Sequence, residues 1–374
     1  MPAVRSRFPA VLAALAAGAL LVSSGPPALG APATAARAAS AQLQGVAALS
    51  RSDAWAVGSV IERWNGRRWR LVPGARTRGC RVYLYGVAAR SASLAWAVGY
   101  CGTARSHRPV IERWNGRRWS VQRSPGTPAS SLSQLNGVTA TSASSAWAVG
   151  EYQSRGHTFP LIERWNGRTW RRQGSAAPGP HGAALEGVTA LSRTSAWAVG
   201  VTLSASVVRS RSLIEHWNGR SWRQQPAISP GGENVLVGVT ALSRARAWAA
   251  GVYSFGSNFG TLVESWDGTS WSEPATPGPD LQDILLAIAA RSSSDVWTVG
   301  GRASLVHPRT LIQHWNGTTW KVVPSPSPSS LQDLLQGVAV VTSRYAWAVG
   351  YRGHYQTLIE RWNGTTWTVQ PSPS

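Results

Sequence analysis

Twenty-one tryptophans occur in this chain, and they occur in threes. Aligned on them, one unit recurs seven times: L-x-G-V-x-A-x-S, then A-W-A-V-G, a variable stretch, L-I-E-R-W-N-G-x-x-W, and a Pro/Ser-rich linker. The first Trp of each unit is Trp55, Trp96, Trp147, Trp197, Trp248, Trp297 and Trp347. The second is Trp64, Trp114, Trp165, Trp217, Trp266, Trp315 and Trp362, and the third Trp69, Trp119, Trp170, Trp222, Trp271, Trp320 and Trp367. None is left over. A period of roughly 40 to 50 residues made only of short β-type runs is the pattern of propeller blades, not of a helical solenoid. The expected fold class is all-β, a seven-bladed β-propeller with four antiparallel strands, A to D, in each blade.

Each run has a physical reading. Leu135-Asn136-Gly137-Val138-Thr139-Ala140 is small enough for the crowded innermost strand, A. Ala146-Trp147-Ala148-Val149-Gly150 alternates small and large residues, which puts Trp147 and Val149 on one face of strand B. The glycine that ends strand B recurs in all seven units, so the strand end must turn sharply or admit another backbone. In Trp165-Asn166-Gly167-Arg168-Thr169-Trp170 the Asn-Gly pair predicts a hairpin joining C to D, because both residues tolerate the positive φ of a type I′ turn, with a loop of either two or four residues. Parity then puts Glu163, Trp165 and Trp170 on one face, and stacked blades should close over the tryptophans.

These phrases resemble BNR or Asp-box propellers, including those similar to photosystem II assembly factors. More closely, D-x-W-A-V-G and W-N-G-T-x-W resemble the Trp-rich secreted repeat proteins of actinobacteria, often labelled galactose-oxidase-like or kelch-like. The resemblance covers residues 41–374. The hairpin lacks the S-x-D-x-G of an Asp box, and there is no kelch-type Gly-Gly pair. The resemblance implies the fold and carries no activity.

Ahead of the repeats, Arg5 and Arg7 precede an apolar run from Pro9 to Val22, and Ala28-Leu29-Gly30 offers small residues for cleavage. The run is shorter than the about 20 residues of a membrane span. Residues 1–30 are therefore expected to be a signal peptide and 31–40 a linker, with a mature protein that is secreted or cell-wall associated. The propeller occupies 41–374, with blades near 41–79, 80–131, 132–181, 182–232, 233–281, 282–331 and 332–374. On this phasing no blade mixes strands from the two ends, and packing between blades one and seven closes the ring. Cys80 and Cys101 are the two cysteines, both in the second unit, and export favours a disulfide between them.

Basic residues number 37 against 16 acidic, a net charge of +21, and Lys321 is the single lysine. Outside a cell such a charge favours acidic polymers. The bias toward arginine is equally that of a GC-rich genome.

A catalytic constellation should break the repeat, since one active site needs residues that occur once. Glu62, Glu112, Glu163, Glu215, Glu264 and Glu360, with Gln313 in the sixth unit, repeat. They read as structural hydrogen-bonding groups pairing with an Arg or an indole N–H of the neighbouring blade. Asp53 and Asp295 read as caps of the A–B turn, and Asp283 and Asp333 share the turn phrase Leu-Gln-Asp. A glycosidase pair would have to come from Glu151, Glu233 and Asp280. The seven histidines show no H-x-x-x-H or H-x-H spacing, and no G-x-S-x-G elbow or phosphate-binding glycine loop occurs. No metal, cofactor or catalytic residue is expected.

A propeller places its B–C and D–A loops on one face and its A–B and C–D turns on the other. The second set hardly varies here, whereas the B–C link is Ser59-Val60 in the first unit and runs from Val201 to Ser212 in the fourth. Variable loops on a rigid scaffold are where binding resides. Tyr100, His107, Tyr152, His157, Phe159, Tyr253, Phe255, Tyr351 and Tyr355 fall in B–C segments and are the candidate ligand-binding residues, with Phe259, His307 and His354 beside them. Tyr- and His-rich loops suit a glycan or a protein epitope. On the opposite face Arg67, Arg68, Arg117, Arg118, Arg168 and Arg220 occupy C–D tips in units one to four, where units five to seven carry Thr or Ser. This basic arc suits an anionic cell-wall polymer. Nucleic acid is disfavoured, because no basic stripe is interleaved with aromatics. The expectation is a non-enzymatic, monomeric binding propeller for a glycan, cell-envelope polymer or extracellular protein. The competing reading is a carbohydrate-active hydrolase or lyase with its site on the same face.

Overall fold

Alternation along strand B organises the molecule. Trp147 and Val149 pack against the following blade and Ala146 and Ala148 against the preceding one, so every blade offers a large face to its successor's small one. A computed structural model describes residues 41–374, except position 78 and segments 104–105, 128–131, 178–180, 205–209, 256–257, 275–281 and 303–308. The expected signal peptide and linker, Asp280 and His307 lie outside the described residues. In blade three the strands are A Ser133–Ser142, B Ser145–Ser154, C His157–Trp165 and D Trp170–Gln173. They are hydrogen-bonded in that order, and the same four-stranded antiparallel sheet occurs seven times. Among the described residues there is no helix, and none long and apolar enough to cross a membrane.

Tryptophan fills the seams. The strand-B Trp of one blade inserts between the C and D tryptophans of the next: Trp55 meets Trp114 and Trp119 edge-on at 4.9 and 5.1 Å, an arrangement the ring quadrupoles favour. The same triad recurs around the ring. All the tryptophans are buried except Trp315 and Trp362, which are half-buried. Each strand-C indole donates to a carbonyl of its own A–B turn, from Trp64 to Arg51 O through Trp362 to Ser343 O. Among the described residues the Trp147 and Trp170 indoles have no acceptor, so ring packing and not an indole hydrogen bond holds them. Arg63, Arg113 and Arg164 lie over Trp55, Trp96 and Trp147, while the His216 and His314 rings lie against Trp197 and Trp297.

The repeated glutamates take a different partner from the expected Arg or indole. Five of the six reach the linker that leaves the preceding blade, while among the described residues Glu360 has no partner and Gln313 meets Thr298 of its own blade. Glu112 accepts the Ala75 N–H, Glu163 the Ser124 hydroxyl, Glu215 the Ser175 hydroxyl with the Ala176 and Ala177 amides, and Glu264 the Ile228 N–H. Linker backbone needs acceptors where it passes over a seam, and a buried carboxyl supplies two. The ring closes by the same device. Ser372 and Ser374 donate to Glu62 of blade one at 2.7 and 2.8 Å, Tyr345 donates to Arg51 O, and Trp347 sits between Trp64 and Trp69.

Of the two loop lengths the C–D hairpin takes four residues, with Trp64 paired to Trp69, and it departs from the type I′ form in that only Gly66 takes a positive φ, of 90°. The Asn65 side chain instead accepts the Arg67 and Arg68 amides, which fixes the loop without placing Asn in the left-handed region. Asp267 does the same in blade five; the Ser270 and Thr269 bonds hold its carboxyl down at about 2. Asp53 and Asp295 are not turn caps. Asp53 forms a two-pronged pair with Arg63, and Asp295 accepts from Arg291, Trp297 and His314.

Candidate functional site at the channel mouth

The innermost strands slip register twice in every blade, once at the variable residue of L-x-G and once beside the A–B turn. The first β-bulge leaves one residue per blade without a ladder partner at the channel. In order these are Gln44, Tyr85, Asn136, Glu186, Val237, Leu286 and Gln336, seven positions on the strands that surround the channel. The bulge also explains the invariant glycine of strand B: a Cβ on Gly150 would drive into the Gln134 carbonyl. Neighbouring A strands touch backbone to backbone, as where a Cβ on Gly137 would lie 3.0 Å from Glu186 O. The scaffold therefore repeats strictly while the bulged side chain is free to differ.

In blades two to four these positions assemble a polar cluster toward the B–C/D–A end of the channel. Gln134 donates to Glu151 Oε1 at 3.3 Å and to Asn136 Oδ1 at 3.1 Å, and Asn136 donates to Leu185 O of the next blade. Tyr100 stacks on Tyr83 at 5.1 Å, lies 4.5 Å from His107, and hydrogen-bonds Tyr85. His107 bonds Gln134 and the Thr103 carbonyl. The Glu151 and Glu186 carboxyls both sit above the ordinary carboxylate range. Burial is the main cause for each, and the charge of Glu151 adds to it for Glu186. Both retain some contact with water because they border the channel, yet protein surrounds them. Burial also raises Tyr85, with Tyr100 and the two glutamates contributing, and lowers His107. Two acids that share one environment and resist double ionisation hold a proton between them near neutrality. Together with tyrosine faces and amide groups, they can hydrogen-bond the hydroxyls of a polar ligand or pass it a proton.

Of the sequence-predicted binding residues, Tyr100 and His107 belong to this cluster. Tyr152, His157 and Phe159 form a second group on blade three, with Tyr152 stacked on Phe159 at 5.3 Å under the Arg172 guanidinium at 4.4 Å. Tyr253 packs against the seam of blades four and five, and Phe259 is buried. Phe255 stands 73% exposed at the tip of its hairpin. Tyr351 is buried, with the half-buried Tyr355 ring at 5.3 Å. Glu233 meets Ser254 of its own blade, so the acid beside Glu151 is Glu186. Sequence reasoning missed Glu186, Tyr85, Asn136 and Gln134. For Glu186, Tyr85 and Asn136 the available signal was the x of L-x-G, a variable place between two nearly constant residues.

Arg67, Arg68, Arg117, Arg118, Arg168 and Arg220 are exposed on the C–D tips of blades one to four. Cys80 and Cys101 form a disulfide with their Cα atoms 5.5 Å apart, tying the linker after blade one to strand B of blade two.

No protein-family model and no curated sequence matches the chain. Solved structures do. YCF48 bound to D1 peptide is 17% identical with a TM-score of 0.51 over 86% of this chain and 92% of that one. YCF48 from Cyanidioschyzon merolae is 16% identical, with a TM-score of 0.51 over 87% and 96%. The GH74 xyloglucanase from Xanthomonas campestris is 12% identical, with a TM-score of 0.59 over 88% of this chain and 54% of that enzyme. At these identities the likeness is one of fold: a seven-bladed β-propeller with Trp-rich strands, whose structural neighbours include a peptide-bound protein and a glycoside hydrolase.

Proposed function

We propose that the chain is a secreted, Trp-rich binding propeller of the kind found in actinobacteria, and that its ligand is a glycan held on the B–C/D–A face over the channel mouth of blades two to four. The supporting observation is the cluster of Tyr83, Tyr85, Tyr100, His107, Glu151 and Glu186, made of residues that break the repeat, with Tyr85 and Glu186 on the bulges. Tyrosine faces suit the apolar faces of sugar rings, and the amides and carboxyls suit their hydroxyls. The exposed arginines of the C–D tips give the opposite face an affinity for anionic wall polymer, which salt should reverse.

The test is an array of glycans and cell-wall polymers probed with the exported chain and with its Glu186→Gln and Tyr100→Ala variants. A glycan bound by the wild type and lost in both variants supports the reading. Binding to an extracellular protein and to no glycan transfers the site to a protein ligand, and silence on the array sinks its glycan form. One observation favours a second reading, glycoside hydrolysis: two adjoining acids with raised affinity for a proton are the equipment of a general acid and its partner. Release of reducing ends from a bound glycan, abolished in Glu151→Gln and Glu186→Gln, would establish it.

A further inference from the structure

The seam between blades one and two differs from its equivalents in three ways that coincide. At the fifth residue after the third Trp, Ser124, Ser175 and Ser372 donate their hydroxyls to the buried glutamates Glu163, Glu215 and Glu62. Blade one has Gly74 there. Among the described residues Glu112 consequently accepts only the Ala75 N–H, on Oε2 at 2.9 Å, and nothing donates to Oε1 although the residue is 1% exposed. A Cβ on Gly74 would meet the carboxyl at an ordinary 3.5 Å, so space exists where the serine is missing.

Second, the B–C link of this blade is only Ser59-Val60. Strands B and C end at Gly58 and begin at Ile61, whereas those of blade two run on to Thr103 and from Ser106. No long hairpin roofs the seam. A cleft of about 470 Å³ opens there, lined by Ile61, Leu71, Val72, Val82, Leu84 and Glu112 among others. That volume falls in the range of small-molecule sites. Third, the Cys80–Cys101 disulfide fastens the linker that forms one wall, with Cys80 and Cys101 in the same apolar cluster as Val72, Val82 and Leu84. The seam of blades four and five provides a contrast. Ala227 replaces the serine there, but Glu264 Oε1 is sealed from solvent.

We propose that this cleft is a second ligand site, separate from the channel mouth, which takes a small apolar alcohol whose hydroxyl donates to Glu112 Oε1. A hydroxyl is what this carboxyl accepts in three other seams, and the apolar walls suit a hydrocarbon body. Burial pushes the Glu112 carboxyl up to about 7, which suits a neutral donor better than a charged one.

The experiment is a ligand-observed NMR titration of the full chain with benzyl alcohol, toluene and benzylamine, repeated on Gly74→Ser and Gly74→Val. Benzyl alcohol is expected to bind the wild type about fivefold more tightly than toluene, one hydrogen bond's worth. Both variants should lose it by about tenfold or more, Ser by restoring the internal hydroxyl and Val by filling the space. Gly74→Ser should raise Tm where Gly74→Val does not, which marks the hydroxyl and not bulk as the missing element. No binding of benzyl alcohol, equal binding of toluene, a preference for benzylamine, or undiminished binding in both variants would each overturn the proposal. None of these outcomes bears on the channel mouth.

Discussion

Two layers of this propeller lie side by side and behave in opposite ways. The tryptophan layer between blades is the same seven times over: one Trp from strand B meets two from the next blade. The channel ring, on the adjacent strand A, holds Gln44, Tyr85, Asn136, Glu186, Val237, Leu286 and Gln336, with no residue at more than two of the seven places. A side chain that packs against an identical neighbour must be the same in every blade, because all seams have one shape. A side chain on a bulge has no ladder partner and no seam to fill, so nothing in the fold constrains it. Stability is therefore written in what repeats, and chemistry in what does not.

The contrast breaks first where its energetic side is largest. Trp147→Ala should cost about 3–5 kcal/mol in urea unfolding, as large-to-small changes in packed cores do. A cost below about 1 kcal/mol would mean the seams are not the source of stability.

The buried linker-binding glutamates come next, through pH. Burial pushes Glu112, Glu163 and Glu264 up to about 7. A carboxyl whose affinity for protons is higher in the folded chain contributes fully below its unfolded value near 4.5 and loses that contribution as pH rises through 7. Unfolding at pH 5 and 7.5 should therefore show the protein more stable at pH 5, by on the order of a few kcal/mol at about 1.4 kcal/mol per pH unit per group. Ordinary acid destabilisation over this window would contradict the protonated form of these seams.

A smaller effect separates the closing seam from the others. Ser372→Ala combined with Ser374→Ala removes the hydroxyls that reach Glu62. A loss of about 1–3 kcal/mol is expected, because the carboxyl is left short of donors. Hydrogen exchange should show the extra opening confined to blades one and seven.

Much of this was legible beforehand, and for a reason the two layers share. Periodicity exposes whatever repeats, so the blade count, the strand order and the burial of Trp55 or Trp147 follow from spacing alone. Asn-Gly announced the hairpin, but its conformation depends on the Asn65 side chain accepting two amides, which no dipeptide rule contains. The glutamates were recognised as structural. Their partners were not, because the linker donor is a serine hydroxyl in some blades, as at Ser124, and a backbone amide in others, as at Ala75. Glu186 went unseen because it occupies a strand read as scaffold, and the bulge at Leu185–Gly187 shows why its position is free to vary.

The smallest stability effect belongs to the channel. Glu186→Gln should change unfolding free energy by less than about 1 kcal/mol, and Glu151→Gln should let the Glu186 carboxyl fall toward its ordinary range, since one like charge is gone. Titration of Glu186 by carboxyl-labelled NMR reads this directly.

The decisive measurement sets affinity and stability side by side for that same substitution. With a ligand taken from the glycan array, Glu186→Gln is expected to weaken binding at least about tenfold, or 1.4 kcal/mol, while Tm stays within a few degrees of wild type. Unchanged affinity at the channel mouth, or a loss of affinity that merely follows a loss of stability, would contradict the division between a repeated scaffold and an unrepeated site.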